Sequence, residues 1–234
     1  MTSHTPKWLA DLQPAGMVTA DAGLQQRKSA ETRITILDAA VDCLARVGYA
    51  RTTTQLIARV ANASRGAMLH HYSTKQDLIE AVTDYAFYRH MKQFIAAVQE
   101  LPEKERTRDN VGLLIDWRLY LSREYSAYLE LTVAARTDEE LRATFVPKAR
   151  RHDRVWREEL VRVFPEWADD PERLSRSRRL VQAVMSGMVL NREIWQDPAM
   201  ERSLLAFLAS TLLKVREGEL EWPDGADLEL SAAE

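Results

Sequence analysis

The sequence predicts an all-α fold, and two observations carry that prediction. Apolar residues recur at helical spacing from about residue 31 to residue 217, with no period-two alternation that would mark a strand and no internal repeat. Helix-opening signatures also repeat along the chain. The plainest are Asp170-Pro171 and Asp197-Pro198, each an acid that can accept from free backbone N–H groups, followed by a proline in the first turn. With 234 residues, 46% hydrophobic and 29% charged, the chain has the composition of a globular protein with one good core or two small ones.

Taken in order, residues 1–29 hold Pro6, Pro14, Gly16 and Gly23 without sustained periodicity. They read as a mobile arm with a short helical turn at Trp8 to Leu12. A sharper reading has Arg27 and Lys28 reaching phosphates or a minor groove. Residues 30–90 form the first predicted domain. Its first helix runs from about Glu31 to Val47 with the stripe Ile34, Leu37, Val41 and Leu44, and Gly48 stands where a C-terminal cap belongs. Cys43, the only cysteine, shares a helical face with Ile36, Ala40 and Val47, so it reads as a buried small hydrophobe. Thr52, Thr53 and Thr54 offer caps for a short helix with Leu56, Ile57 and Val60 on its apolar side. Asn62 tolerates the left-handed turn that follows, and Ser64 caps a second short helix from Arg65 to His71. Ser73 and Gln76 have capping-box spacing for a long helix starting near Thr74 and ending near Leu101-Pro102.

Residues 91–217 form the second predicted domain. After a charged loop at 102–109, Asp109 can cap a helix from Val111 to Ser122, and Ser126 one ending at Ala135. Thr137 and Glu140 have capping-box spacing for a segment that Pro147 kinks before it continues to Phe164. The two Asp-Pro devices then open helices to about Ile194 and to Glu217, the second stopped by Gly218. Residues 218–234 complete an acidic tail: from Glu217 onward there are seven acids and no base, a composition expected to stay disordered and solvated.

Charge singles out one stretch. The chain is formally −3, yet Cys43 through Gln76 contains no Asp or Glu and five cations, Arg46, Arg51, Arg59, Arg65 and Lys75. Two short helices with so brief a connection, about residues 53–72, resemble a helix-turn-helix, and a basic surface in an acidic protein suits phosphate. The plain alternative is a solvated helix pair with chance charge segregation. Gly66 and Ala67, small residues in the first turn of the second helix, let its backbone approach another surface.

The flanks sharpen the reading. Ile36-Leu-Asp-Ala-Ala40, Val47-Gly-Tyr49, Ile57-Ala58, Ser64-Arg-Gly-Ala67 and His71-Tyr-Ser-Thr-Lys75, within residues 31–82, closely resemble the DNA-binding domain of the TetR family of bacterial transcription regulators. There are two departures: Asn62 stands where the family often has Gly, and Leu69 where it often has Tyr. The resemblance implies a three-helix helix-turn-helix domain followed by a helical effector-binding and dimerisation domain. It implies a homodimer on a palindromic double-stranded operator, most often as a repressor released by a small apolar or amphipathic effector. The DNA-contacting set it implies is Thr53, Thr54, Gln55, Arg65, Gly66, Ala67, His70, His71, Tyr72 and Lys75. Arg65, Gly66, Ala67 and His70 would face bases, while Thr53, Thr54, Tyr72 and Lys75 would hold phosphates.

Aromatics and methionines are dense after residue 85, and at helical spacing such residues are ordinary core. The resemblance implies that some line an effector pocket, with Phe87, Tyr88, Met91, Trp117, Tyr120, Tyr128, Trp156, Met185, Met188 and Asn191 as candidates. Arg89, His90 and Arg118, with Asn191, are polar groups able to orient a ligand. Leu180, Val184, Leu204, Leu208 and Leu212 form apolar seams on the last two helices, expected at the dimer interface; the alternative is the core of a monomer. The arginine-rich runs Arg142 to Arg157 and Arg173 to Arg179 read as solvated helix faces rather than as a second nucleic-acid surface.

Catalysis finds little support. The five histidines are scattered, no spacing suggests a metal site, and no Gly-rich phosphate loop appears, so no cofactor is expected. A single cysteine excludes an intrachain disulfide and suits a reducing cytoplasm. No apolar run approaches a membrane span, and the first residues lack the pattern of a signal peptide, so a cytoplasmic protein without membrane contact is expected. The runner-up function is a helical small-molecule-binding or scaffold protein with a vestigial helix-turn-helix. An enzyme ranks third.

Overall fold

The computed structural model describes residue 13, residues 23–102 and residues 111–223, except the side chain at position 166. Apart from residue 13, the predicted arm before residue 23 lies outside the described residues, as do the charged loop from residue 103 with its Asp109 cap and most of the acidic tail. The described chain is all-α: α1 (Leu24–Arg51), α2 (Thr54–Val60), α3 (Arg65–His71), α4 (Lys75–Gln99), α5 (Val111–Tyr120), α6 (Arg123–Ala134), α7 (Glu139–Val163), a 3-10 turn (Pro165–Trp167), α8 (Pro171–Trp195) and α9 (Pro198–Glu217).

Helix α1 begins well before Glu31, inside the stretch expected to be an arm. Its first turns, Leu-Gln-Gln-Arg-Lys, are good helix formers that bury almost nothing, so periodicity could not reveal them. Gln26 Oε1 accepts the Gly23 N–H at 3.2 Å and closes that end. The other end breaks at Gly48, whose φ of 78° and ψ of 169° lie in a region open to glycine alone.

Several caps sit one to four residues from their expected places. The box that opens α4 is Thr74 with Asp77, and Ser73 adds its own bond to Asp77, while Gln76 instead donates to Thr144 Oγ1 at 2.7 Å. Ser122, not Ser126, caps α6, which shortens α5 and sets Glu124 in the first turn where the helix dipole favours an acid. Asp138, not Thr137, caps α7, its carboxylate accepting the Leu141 N–H at 2.8 Å. Helix α7 runs on through Pro147 to Val163. Both Asp-Pro openings stand as expected, and Gly218 closes α9 at φ 75°.

Three buried clusters hold these helices. The first joins α1, α2, α3 and the start of α4 to α6 and the start of α7, through Ile36, Leu37, Leu44, Ile57, Met68, Leu78, Leu131 and Leu141; Cys43 is 4% exposed within it. The second gathers Phe87, Met91, Phe94 and Val98 of α4 against Trp156 of α7. The third packs α5 against α8 and α9 through Leu113, Trp117, Met185, Met188, Leu205 and Leu208. Helix α6 packs on both α1 and α4 and so ties the first cluster to the rest.

The third cluster changes the interface expectation. Leu208 is 3% exposed and belongs to the core of its own chain, and Leu180, Val184, Leu204 and Leu212 are partly buried against that same core. The outward apolar residues of α8 and α9 are Leu190, Ile194, Trp195, Met200 and Phe207, the last 74% exposed. Sequence spacing identified apolar seams but could not say which seam its own chain would cover.

Candidate nucleic-acid interface and cavity

Helices α2 and α3 meet through a turn in which Asn62 adopts φ 50°. Thr53 caps α2, its hydroxyl accepting the Leu56 N–H at 3.1 Å, and Ser64 caps α3 by accepting the Ala67 N–H at 3.1 Å. Met68 and Tyr72 point inward one turn apart, which sends Arg65, Gly66, Leu69 and His70 to the exposed side. Thr53 and Gln55 are exposed beside them; Thr54, Ala67 and His71 are half-buried. The His70 and His71 rings lie 5.2 Å apart at 63° to each other, and no metal-binding group of His, Cys, Asp or Glu exists among the described residues.

Two expected phosphate contacts sit differently. Tyr72 is 6% exposed and its hydroxyl is sealed inside the protein, with burial pushing its pKa up to about 12. It therefore supports α3 from beneath and offers no hydroxyl to a phosphate. Lys75 lies over the Tyr49 ring, 4.0 Å from its centre, and its ammonium donates to the Tyr49 carbonyl at 3.2 Å. Burial lowers the pKa of Lys75. The side chains of Arg46 and Arg59 are exposed and have no hydrogen bond or ion pair among the described residues, so the basic surface rests on them and Arg65 more than on Lys75.

A cavity of about 580 Å³ lies among α4, α5, α6, α7 and α8. Of the expected pocket residues, Phe87, Tyr120, Tyr128 and Trp156 line it. Tyr88 and Met91 face the second cluster instead, and Trp117, Met185 and Met188 the third. Asn191 is occupied with the Gly187 carbonyl at 2.8 Å on its own helix.

The polar part of the wall was mostly missed. It includes His90, Asp116, Glu124, Tyr125, His152 and Arg178. His152 stacks on Phe87 at 4.0 Å and 4°, and its Nε2 is 2.9 Å from Asp84, which also receives Lys148. Burial lowers the His152 pKa against the pull of Asp84, so the ring is neutral near pH 7. Burial alone would raise Asp84, but its bonds from His152 and Lys148 outweigh that and lower it. His90 Nε2 lies 3.6 Å from Asp116, and Tyr125 exchanges a 2.7 Å hydroxyl bond with Ser186. His152 and Arg178 sit in the arginine-rich runs that read as solvated helix faces, so nothing in the sequence marks them for the cavity.

The cavity and the helix-turn-helix share α6. Glu124, in the cavity wall, lies 3.7 Å from Arg89 and 3.3 Å from Arg123. Arg123 in turn clamps Asp38 at 2.7 Å and Asp42 at 2.9 Å on α1. At the far end of α6, Glu130 accepts the Tyr49 N–H at 2.6 Å, just before α2.

Comparison with known proteins agrees with this architecture. The sequence profile described as "Bacterial regulatory proteins, tetR family" matches residues 36–82. An uncharacterised HTH-type transcriptional regulator of Mycobacterium bovis is 29% identical over 196 residues, covering 82% of this chain and 97% of the relative. Among solved structures, a TetR-family transcriptional regulator from Rhodococcus, so described as putative, aligns at TM-score 0.61 with 17% identity over 80% of this chain and 99% of its own. A TetR transcription regulator from Haloarcula marismortui aligns at TM-score 0.58 with 22% identity over 81% and 98%.

Proposed function

We propose that the chain, whose residues 36–82 match the TetR family profile, is a regulator of that family: a homodimeric repressor of a palindromic operator, released when a small molecule fills the cavity. The observation that carries this reading is the pairing of an exposed recognition side on α3 with a cavity that shares α6 with the head. Arg65, Gly66, Ala67 and His70 read base edges, with Arg65 the only long donor at the start of α3. Thr53, Thr54, Gln55, His71, Arg46 and Arg59 border the phosphates, and Lys75 adds charge from its seat on Tyr49.

The outward residues Leu190, Ile194, Met200 and Phe207 support association of two copies through α8 and α9. One helix-turn-helix reads a half-site, so a second copy supplies the other. A ligand that favours one arrangement of α6 against α1 shifts the spacing of the two heads. No helix among the described residues is long and apolar enough to cross a membrane.

The test is a mobility shift with the DNA upstream of the gene, read at several salt concentrations against a scrambled duplex of equal length. Preference for the upstream DNA, with half-site symmetry in footprinting, supports the proposal. Equal affinity for both duplexes overturns it in favour of a helical binding protein with a vestigial head.

A further inference from the structure

The cavity wall contains charged groups that the protein leaves short of partners. Arg178 has a side chain 13% exposed, yet its Nε is buried without a hydrogen-bond partner. Its other contacts are a 3.1 Å bond to Gln182, the Trp156 ring at 5.6 Å, and Asp153 at 3.6 Å. That one carboxylate is also 3.5 Å from Arg157, so two guanidiniums share it. Asp116 is the mirror case: among the described residues it accepts no hydrogen bond, its Oδ1 is buried, and the ring of His90 lies 3.6 Å away. A buried polar group without a partner costs stability and calls for an explanation, and here one basic and one acidic example line the same cavity.

The edge of the cavity breaks this balance between acid and base. Arg150, Arg154 and Arg179 line it, are exposed, and have no ion pair among the described residues. Of the acids in the wall, Glu124 is already held by Arg89 and Arg123, and Asp153 by Arg157 and Arg178. A concave site bordered by unpaired arginines draws in anions. Between these groups lie the rings of Phe87, Tyr120, Tyr128 and Trp156, which accept a flat apolar body.

We propose that the cavity takes a flat, largely apolar organic acid bearing a hydroxyl group, its carboxylate bound by Arg178 and its hydroxyl donated to Asp116. This rests on the reading of the cavity as the effector site, and it assigns that site a ligand class. Arg178 supplies planar paired donors that match a carboxylate, and the bond is strong because both partners are charged. Asp116 selects against the analogue that lacks the hydroxyl, since that analogue leaves the buried carboxylate still unpaired.

Calorimetry on the full chain with four probes tests this: 4-hydroxycinnamate, its methyl ester, cinnamate and tyramine. The hydroxy acid should bind about tenfold or more tightly than either its ester or cinnamate, and tyramine should bind weakest. Arg178→Gln should erase the preference for acid over ester, and Asp116→Leu the preference for hydroxy acid over cinnamate. The comparison of probes on the unaltered protein stands even if a variant folds poorly. Tyramine binding best, equal binding of acid and ester, or no binding of any probe at millimolar concentration overturns the proposal. A mobility shift in the presence of the bound acid separates the two readings. Acid binding without operator release preserves the ligand class and overturns the effector role.

Discussion

Replacing Gly48 by alanine should cost about 2.5–6 kcal/mol of folding stability, from two separable sources. The backbone there has φ 78° and ψ 169°. Side chains other than hydrogen are strained in that region by about 1–3 kcal/mol. A Cβ at Gly48 would also stand 2.9 Å from Glu130 Oε1, the oxygen that accepts the Tyr49 N–H at 2.6 Å. The carboxylate must swing away, and losing a hydrogen bond to a charged acceptor costs about 1.5–3 kcal/mol. Urea unfolding followed by circular dichroism at one fixed protein concentration measures the total. Repeating Gly48→Ala in a Glu130→Ala background removes the obstacle and should leave the backbone strain alone, about 1–3 kcal/mol. Equal costs in the two backgrounds would show that Glu130 and Gly48 are not coupled. A total below about 1 kcal/mol would refute the strain argument itself.

Four further outcomes are expected. Arg65→Ala should relax preference at one position of each operator half-site by about 1–3 kcal/mol, read by binding to a set of single-base variants; uniform loss would move Arg65 to the backbone. Arg59→Ala should lower the slope of log affinity against log salt by about one unit without changing preference, whereas Lys75→Ala, whose ammonium is tied to Tyr49, should also lower the melting temperature. Phe207→Glu with Ile194→Glu should yield a folded monomer in sedimentation that no longer binds the operator, while Leu208→Glu should unfold the chain because that side chain is core. The folded His152 pKa lies below its ordinary 6.5, so the unfolded chain binds the extra proton first. Stability is therefore full above about pH 6.5 and falls as pH drops below it, and His152→Gln should flatten that fall in urea titrations.

Much of this architecture was legible because local chemistry announces it. Thr53, Ser64, Asp170 and Asp197 cap the helices their positions suggested, since a cap depends on a few adjacent atoms. Where two caps competed, as at Ser122 and Ser126, the choice fell to tertiary contacts of Arg123 and Glu124 that spacing does not encode. The exposed side of α3 was what the family resemblance implied, but the burial of Tyr72 was not, because a tyrosine at a helix end can face either way. The cavity was the least legible part. Four of the ten candidates, Phe87, Tyr120, Tyr128 and Trp156, line it; its polar half comes from α4, α5 and α6 and from the arginine-rich faces of α7 and α8. A charged residue reads as solvated in sequence, and only packing reveals one such as Arg178 with a side chain 13% exposed.

The clamp of Arg123 on Asp38 and Asp42 bears on how salt titrations of this protein are to be interpreted. Its three side chains are about one-third exposed, so ions weaken it as they weaken a phosphate contact. Salt then acts twice, once on the DNA surface and once on the joint that orients the head. The slope of affinity against salt counts both, and dividing it by the value for one phosphate yields too many contacts. Arg123→Met, which keeps the bulk of the side chain and removes its charge, takes the joint out of that slope and leaves the phosphates alone to set it.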